Sequence, residues 1–479
     1  MSEQKSGAVK LSIKEKCGYA CTDMAGNLLY VTISSYIMYF YTNVFGIPAA
    51  GAWGASIILL VARIADALGA VVWGSVIDHT KSKWGQARPW FVWLFAPFMV
   101  TVWLAFFAPG IEDSVVKFWY AFITYILASG VVYTGIQTAI TAVLPNMTAD
   151  ADERINANTF RMAGGNIGSF ITCSACIPLV GAFGFALTGQ TGPEADKVGF
   201  MVTIAVFGVL AAAMLIFAFA SIREHNFNPK TAEAVPFKDS LRAAKGNWPW
   251  LILVIAFVIY WVAQSTRNGM ATYYAQYIIG ERNFSAIING IQIIGIAGTF
   301  LMPFLVKHTN LSGCGKTNTM MIGLATGAAG QLLIPVASSM AESNPGLSLI
   351  LFTIFWTIGV IGAAIACGMP FAMLADTVDY GEWKNGIHAA GFLTAVGSAF
   401  CIQAGSGFGA YVPLEIMNAN GFNAALEAQP ASALNAITFC FVFLPVIVYA
   451  IVAVIMTFYR KYERMEPKIK EELAKRNAK

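Results

Sequence analysis

Long apolar stretches bounded by Gly, Pro, Asn or a charge recur at 17–45, 51–77, 90–109, 116–144, 159–187 and 198–222, and again at 247–279, 285–306, 317–338, 347–375, 387–413 and 433–458. A helix crosses a bilayer with about 20 apolar residues, so the pattern predicts an all-α integral membrane protein with twelve transmembrane helices. Between the two sets lies the polar, charged stretch from Arg223 to Asn247, which includes Asn228-Pro229-Lys230. The expected organisation is a six-helix bundle over 1–222, a cytoplasmic middle loop over 223–246, a second six-helix bundle over 247–459 and a basic cytoplasmic tail over 460–479.

Composition removes the alternatives. A length of 479 residues alone would fit about three soluble domains. Yet 57% of residues are hydrophobic and 12% charged, and mean hydropathy is +0.63. A soluble domain carries about 25% charged residues, so a soluble catalytic core is excluded. Of the 30 Lys and Arg, 25 fall in segments sharing a side with the N-terminus, and only Lys117, Lys197 and Arg282 fall on the other. That alternation, loop by loop, puts both termini in the cytoplasm. The cations do not gather into one basic face, so nucleic acid is not an expected partner. The eight Cys lie mostly in apolar stretches, and Cys173 with Cys176 has no second pair at metal-site spacing. Met1 to Lys16 is polar without a short apolar core, unlike a cleavable signal, which leaves insertion to the first span.

The halves carry a faint internal repeat. Ser35 to Tyr41 followed by Gly46, and Thr272 to Tyr277 followed by Gly280, each end the first span of a half with a Tyr-rich turn and a glycine. Parallel repeats of this kind place a substrate site between them near the midplane, whereas an interfacial aromatic belt accounts for the tyrosines equally well.

Of 26 acidic residues only Asp23 and Asp66 lie well inside the expected spans. A charge at the bilayer centre costs at least about 2.5–3.5 kcal/mol, which makes such residues functional candidates by default. At about 1.5 Å per residue, Asp23 is roughly 10 Å from Lys16 and Asp66 roughly 18 Å from Asp78. Both belong to the inner half, placed to line one cavity. Arg63 precedes Asp66 by three residues on the same helix face, as a local ion pair or as the wall of a cavity. Arg161 reads as a snorkelling cation or a site residue. Gln264-Ser265-Thr266-Arg267-Asn268 is a polar island in the seventh stretch, which calls for a helix break or a cavity-lining face rather than lipid contact.

In the loops, Gly74 to Pro89 sets Asp78 ahead of Lys81, Lys83 and Arg88, and Asp376 to Gly386 gathers Asp376, Asp379, Glu382 and Lys384 in a short link between the tenth and eleventh stretches. Each reads either as a charge latch between helix ends or as a solvated turn. No Gly-x-x-x-x-Gly-Lys-Ser/Thr loop is present, so no P-loop ATPase is expected. His79, His225, His308 and His388 are scattered and do not form a zinc cluster. No cofactor or metal is expected, and energy comes from an ion gradient or is not used.

Three motifs occur in order: Arg63-Ile64-Ala65-Asp66-Ala67, then Ser82-Lys83-Trp84-Gly85 with Arg88-Pro89-Trp90, then Ala375-Asp376-Thr377-Val378-Asp379-Tyr380-Gly381-Glu382-Trp383-Lys384. With Lys14 to Tyr19 and Phe40 to Gly46, they make the chain resemble, over nearly its whole length, the glycoside-pentoside-hexuronide:cation symporter family, the melibiose-permease-like branch of the major facilitator superfamily. The resemblance implies that Asp23 is the sugar-binding acid of helix 1, Arg161 the sugar-site arginine of helix 5 and Lys384 a lysine near the site and the inner gate. It also implies that Tyr133 and Thr134 stand beside the cation site and that Asp66 is its first acid. The chain departs from the pattern at Ala70, which replaces a second helix 2 acid, at Gln137, which replaces a second sugar-binding acid, and at His388-Ala389-Ala390, which replaces Arg-x-Glu. Proton coupling through Asp66, a differently built ion site and uncoupled facilitation are the three consequences open at Ala70.

The expected function is secondary transport of a sugar, glycoside or hexuronide across the bacterial inner membrane by alternating access, coupled to H+ in preference to Na+. Substrate-binding candidates are Asp23, Tyr133, Gln137, Arg161, Arg267 and Lys384. Cation-coupling candidates are Asp66, Thr134 and Arg63, and gating candidates are Asp78, Arg88, Asp376, Asp379 and Glu382. Arg63, Arg161, Arg267 and Lys384 outnumber Asp23 and Asp66, a surplus that favours an anionic sugar in a low-dielectric cavity, beside neutral glycosides or pentosides. The expected partners are the sugar and the lipid bilayer, with no obligate protein. Competing classes are an uncoupled facilitator, a channel, a non-transporting sensor and a membrane enzyme, the last opposed by the lack of a clustered catalytic constellation. Gly164, Gly165 and Gly168 allow close helix approach, and the basic tail sets topology and meets anionic lipid.

Overall fold

The computed structural model describes residues 10–51, 53–78, 80, 82–148, 151–225, 244–310, 313–340, 343–386, 393, 396–426 and 428–477. Among these, regular structure is helical, with one isolated bridge between Ser82 and Gly85. The chain divides into two compact units, Met1–Ala232 with Asn423–Glu427, and Glu233–Phe422 with Ala428–Lys479. Among the described residues eight helices are long and apolar enough to cross a membrane.

In the first unit α1 covers Ile13–Tyr39 and continues as a π turn over Phe40–Val44. It is followed by α2 (Ala55–Asp78) and α3 (Pro89–Ala105). Next, α4 runs Ser114–Ile126, a π segment Leu127–Tyr133, and Thr134–Met147. The unit ends with α5 (Ala151–Thr188) and α6 (Pro193–Ser221). In the second unit α7 spans Trp248–Tyr274 and a π turn Ala275–Ile279. Its α8 joins Phe284–Gly290, a 3₁₀ turn Ile291–Ile294 and Gly295–His308. Then come α9 (Gly315–Leu332, then Ile334–Ser338), α10 (Pro345–Asn385) and α11 (π turn Val396–Phe400, then Cys401–Ala419). Last, α12 joins Ala431–Thr438, a π turn Phe439–Phe443 and Leu444–Asn477.

Each unit repeats the same packing devices. Both α1 and α7 end in a π turn, and Gly46 (φ 75) and Gly280 (φ 84) then take the left-handed conformation that favours glycine. On α5, Gly164 and Gly168 lie against the backbone of Ala20 and Met24 of α1; on α11, Gly405 and Gly409 lie against the backbone of Val258 and Val262 of α7. In both cases any Cβ would collide with a carbonyl oxygen, so a pair of glycines four apart sets the helix spacing. Tyr36 Oη donates to Cys173 O at 3.0 Å and Thr172 Oγ1 to Leu28 O at 2.8 Å, closing the α1–α5 seam.

Three elements differ from the sequence pattern. The polar island around Arg267 does not break α7, which stays α-helical to Tyr274. The expected link holding Asp376, Asp379, Glu382 and Lys384 is helix, because α10 runs on to Asn385 and stops only where Gly386 (φ 68) turns left-handed. The expected tail is also helix, continuous with the last span to Asn477, and its buried Tyr462, Ile469 and Leu473 pack into the core of the second unit. Apolar-run reading ends a helix where hydrophobicity ends, whereas these helices end where backbone geometry or packing ends them.

Candidate functional site

The first unit holds two neutralised charge pairs. On α2, Arg63 and Asp66 are 6% and 2% exposed. One turn apart, they form an ion pair, with Nη1 of Arg63 donating to Oδ2 of Asp66 at 3.2 Å. The other oxygen, Oδ1, accepts the hydroxyl of Ser129 at 2.7 Å. Ser129 is delivered by the π segment of α4, whose Gly130 lies against Ala65, and Thr134 Oγ1 donates back to Ser129 O at 3.0 Å. The same Nη1 of Arg63 donates to the Tyr30 hydroxyl, and the guanidinium stands 5.5 Å from the Tyr30 ring centre.

Tyr30 is the bridge to the second pair. Its ring stacks on Tyr133 at 4.0 Å and 6°, and the Tyr133 ring lies against Gly26, one turn after Asp23 on α1. Asp23 of α1 accepts from Nη1 of Arg161 of α5 at 3.2 Å, and Arg161 Nε donates to Asn158 Oδ1 at 3.0 Å. Asn27 Nδ2 holds the Asp23 backbone carbonyl at 2.9 Å, and Gly165 leaves room for the Asp23 carboxylate. Asp23 and Asp66 therefore do not touch; an arginine and two stacked tyrosines stand between them. Gln137 is half-buried on α4, two turns from Ser129.

The other expected site residues have different company. Arg267 is 2% exposed, with Nη1 donating to Gln264 Oε1 at 3.3 Å and Tyr449 Oη at 3.1 Å, and its guanidinium 4.5 Å from the Trp356 ring centre. It ties α7 to α10 and α12. Lys384 is exposed and donates to Gly246 O at 2.8 Å, tying the end of α10 to the turn ahead of α7. With two arginines neutralised by carboxylates and Lys384 at a helix end, the surplus counted from sequence narrows to Arg267.

The gating candidates contact acids that sequence reading missed. Arg88 Nε donates to Phe219 O at 2.8 Å, and the backbone N–H groups of Gln86, Ala87 and Arg88 donate to the carboxylate of Glu224 at 3.0, 2.9 and 2.7 Å. The turn holding them is opened by Gly85 at φ 118. Burial, with Arg223 nearby, lowers the Arg88 pKa against the opposing pull of Glu224. The second unit has the same device: Glu463, just beyond the last span, accepts Lys316 N at 2.7 Å and Thr317 N at 3.1 Å at the start of α9. Asp376 pairs with Lys316 Nζ at 2.5 Å, Glu466 pairs with the same Nζ at 3.0 Å, and the Asp376 carbonyl accepts the Tyr462 hydroxyl. Asp379 and Glu382 lie half-buried on the same helix. The side chain of Asp78, and His388-Ala389-Ala390, lie outside the described residues. The missed acids left one signal: Glu224 and Glu463 each follow the last span of their half by a few residues.

The profile of the MFS/sugar transport protein family matches residues 18–462. The chain is 34% identical over 464 residues to an isoprimeverose transporter of Lactiplantibacillus pentosus, covering 97% of this chain and 92% of that protein. It is 30% identical to the inner membrane symporter YicJ of Escherichia coli, over 94% and 92% of the two chains. It is 26% identical to a glucuronide carrier protein homolog of the same organism, over 88% and 87%. A crystal structure of the nucleoside transporter NupG superposes with a TM-score of 0.62 at 15% identity, over 92% of this chain and 98% of that one; this likeness concerns the fold alone. A chain whose described residues are helical, with two buried or half-buried ion pairs, and which sugar transporters and symporters match over nearly its whole length, is a multi-pass membrane transport protein of the MFS/sugar transport protein family, of the glycoside-pentoside-hexuronide symporter type.

Proposed function

We propose that this chain carries a sugar, glycoside or hexuronide across the inner membrane by alternating access, with both termini cytoplasmic and with uptake coupled to protons at Asp66. The observation that carries this reading is the Arg63–Asp66–Ser129 arrangement, a buried carboxylate whose countercharge is a fixed arginine 3.2 Å away. A sodium ion entering there would meet the guanidinium as well as the carboxylate, and like charges repel strongly where water is excluded. Ala70, four residues on, supplies no second carboxylate to offset that repulsion. A proton needs no coordination shell and is accepted by one oxygen.

Protonation of Asp66 removes its charge from Arg63, leaving the guanidinium to Tyr30. Tyr30 stacks on Tyr133, so the change reaches the side where Asp23 and Arg161 stand. A carboxylate accepts from sugar hydroxyls and a guanidinium donates to them. Sugar binding exchanges the Asp23–Arg161 ion pair for hydrogen bonds to hydroxyls, with Gln137 as a neutral partner. The relatives named for isoprimeverose and for a glucuronide carrier support both neutral and acidic glycosides as substrates.

The test is uptake by purified protein in proteoliposomes under an imposed proton gradient, a sodium gradient or neither. Proton-driven accumulation that Asp66→Asn abolishes while sugar counterflow persists is the expected result. Accumulation driven by sodium and insensitive to a protonophore overturns proton coupling, and equilibration without accumulation makes the chain a facilitator.

A further inference from the structure

The last helix carries an exposed surface that has no part in the two charge pairs of the first unit. On α12 the exposed residues Ile447 (46%), Ile451 (44%), Val454 (61%) and Phe458 (64%) follow one another at intervals of three or four, a single lipid-facing stripe. The same intervals continue through Lys461, Arg464 and Lys468, all exposed, while Tyr462, Glu463 and Ile469 are buried on the other side. Because the helix is unbroken from Leu444 to Asn477, the cations stay on or near the face that the apolar residues occupy.

The acids of this segment are engaged elsewhere: exposed Glu471 pairs with Lys475 at 2.7 Å, and the others hold partners on neighbouring helices. Glu463 caps α9, Glu466 holds Lys316, and Glu472 accepts the Trp383 indole at 2.6 Å. Among the described residues, no carboxylate lies within ion-pair distance of Lys461, Arg464 or Lys468. Beyond Phe458, Lys461 and Arg464 lie about 4.5 and 9 Å further along the axis and Lys468 about 15 Å. A headgroup layer is about 5–7 Å thick on each side of the hydrocarbon. With Phe458 at the edge of the hydrocarbon, Lys461 and Arg464 thus bracket the phosphate level, and Lys468 stands about 8–10 Å beyond the layer, within reach of its surface potential.

We propose that Lys461, Arg464 and Lys468 bind the headgroups of anionic phospholipid, and that α12 passes this binding through Glu463 and Glu466 to the start of α9 and to Asp376 of α10. The proposal rests on the reading above that the C-terminus is cytoplasmic, since that leaflet carries the anionic lipid. Continuity with the acyl-facing stripe selects a lipid over a soluble anion. A lipid phosphate also holds the outer side of the helix while its inner side clamps α9 and α10.

The experiment is native mass spectrometry of the full-length protein equilibrated with equal amounts of phosphatidylglycerol and phosphatidylcholine, which scores binding whether or not sugar uptake is proton-coupled. Each cation near the surface adds about 1 kcal/mol, about fivefold, so Lys461→Gln/Arg464→Gln/Lys468→Gln lowers the preference for phosphatidylglycerol about a hundredfold. Lys461→Arg/Lys468→Arg keeps it. Should the triple variant not fold, the three single Gln variants each lose about fivefold. Retention of wild-type preference in the Gln variants overturns the site, as does its loss to millimolar inorganic phosphate, which marks a soluble-anion site instead. In vesicles, sugar exchange by the wild type is faster with phosphatidylglycerol than with phosphatidylcholine alone, and the triple variant is indifferent. Intact lipid binding with exchange indifferent to lipid in the wild type overturns the transmission through Glu463 and Glu466.

Discussion

A Cβ at Gly165 would lie 2.6 Å from the Oδ2 oxygen of Asp23 and 3.0 Å from Asn27 Nδ2. The glycine is therefore the floor on which the Asp23 carboxylate rests while it faces Arg161. Its absence of a side chain serves the site as well as the packing that Gly164 and Gly168 perform beside it.

Gly165→Ala is expected to displace the carboxylate and leave the fold intact, because the atom in the way is the end of a side chain rather than backbone. Sugar KM should rise about tenfold, equivalent to about 1.4 kcal/mol, with the thermal midpoint nearly unchanged. Gly168→Ala should behave oppositely. Its Cβ would meet the Met24 carbonyl at 2.5 Å, so helix spacing and the thermal midpoint should suffer first. A drop in midpoint for Gly165→Ala as large as for Gly168→Ala would show that its role is packing alone.

Arg63 and Asp66 give a test by double-mutant cycle. Removing one partner of a buried ion pair leaves an uncompensated charge and costs about 3–5 kcal/mol. Arg63→Gln and Asp66→Asn should each lower the thermal midpoint of detergent-purified protein, and the double variant should recover most of the loss. Additive losses would mean that the two side chains act independently despite their 3.2 Å separation.

How much of this was legible in sequence differs between residues for physical reasons. Asp23, Asp66, Arg63 and Arg161 stood out because the membrane makes an unexplained charge costly, and the structure joins them into two pairs. Tyr30 and Ser129 were invisible, since a tyrosine or serine in a span is ordinary and only the π segment of α4 turns Ser129 towards Asp66. The repeat was faint because the device its halves share is a spacing rather than a motif: Gly164 with Gly168 and Gly405 with Gly409 match in separation and in the carbonyls they approach, while their neighbours in sequence differ. Glu224 and Glu463 were passed over because carboxylates beyond a span look like solvated loop residues until the backbone they cap is seen.

Those two carboxylates yield a paired prediction. Glu224 accepts three backbone N–H groups ahead of α3, and also Asn146 Nδ2 at 3.1 Å. Hydrogen bonds to a charged group contribute about 1.5–3 kcal/mol each. Glu224→Ala should therefore be more destabilising than Arg88→Ala, which loses one bond to Phe219 O and a stacked ring. Glu224→Gln should fall between them. Thermal midpoints of the three variants decide the order, and Arg88→Ala as the most damaging would put the latch in the guanidinium instead.

Glu15 sets the acid limb of stability. It closes a capping box with Ser12 at the start of α1, and its Oε1 lies 2.7 Å from His225 Nε2. Burial acts to raise its pKa, but the backbone N–H and hydroxyl of Ser12 together with His225 outweigh it, and the net shift is downward from 4.5. A folded-state pKa below the unfolded one means that the folded protein holds the proton less tightly. The stabilisation is present above about pH 4.5 and is lost as pH falls through the lowered value. Thermal midpoints of purified protein measured from about pH 6 down to about pH 3 should decline more steeply in the wild type than in Glu15→Gln, which starts lower and has no carboxylate to protonate. Parallel curves for the two proteins would assign the acid limb to other carboxylates, such as Glu153 on Lys16 or Asp376 on Lys316.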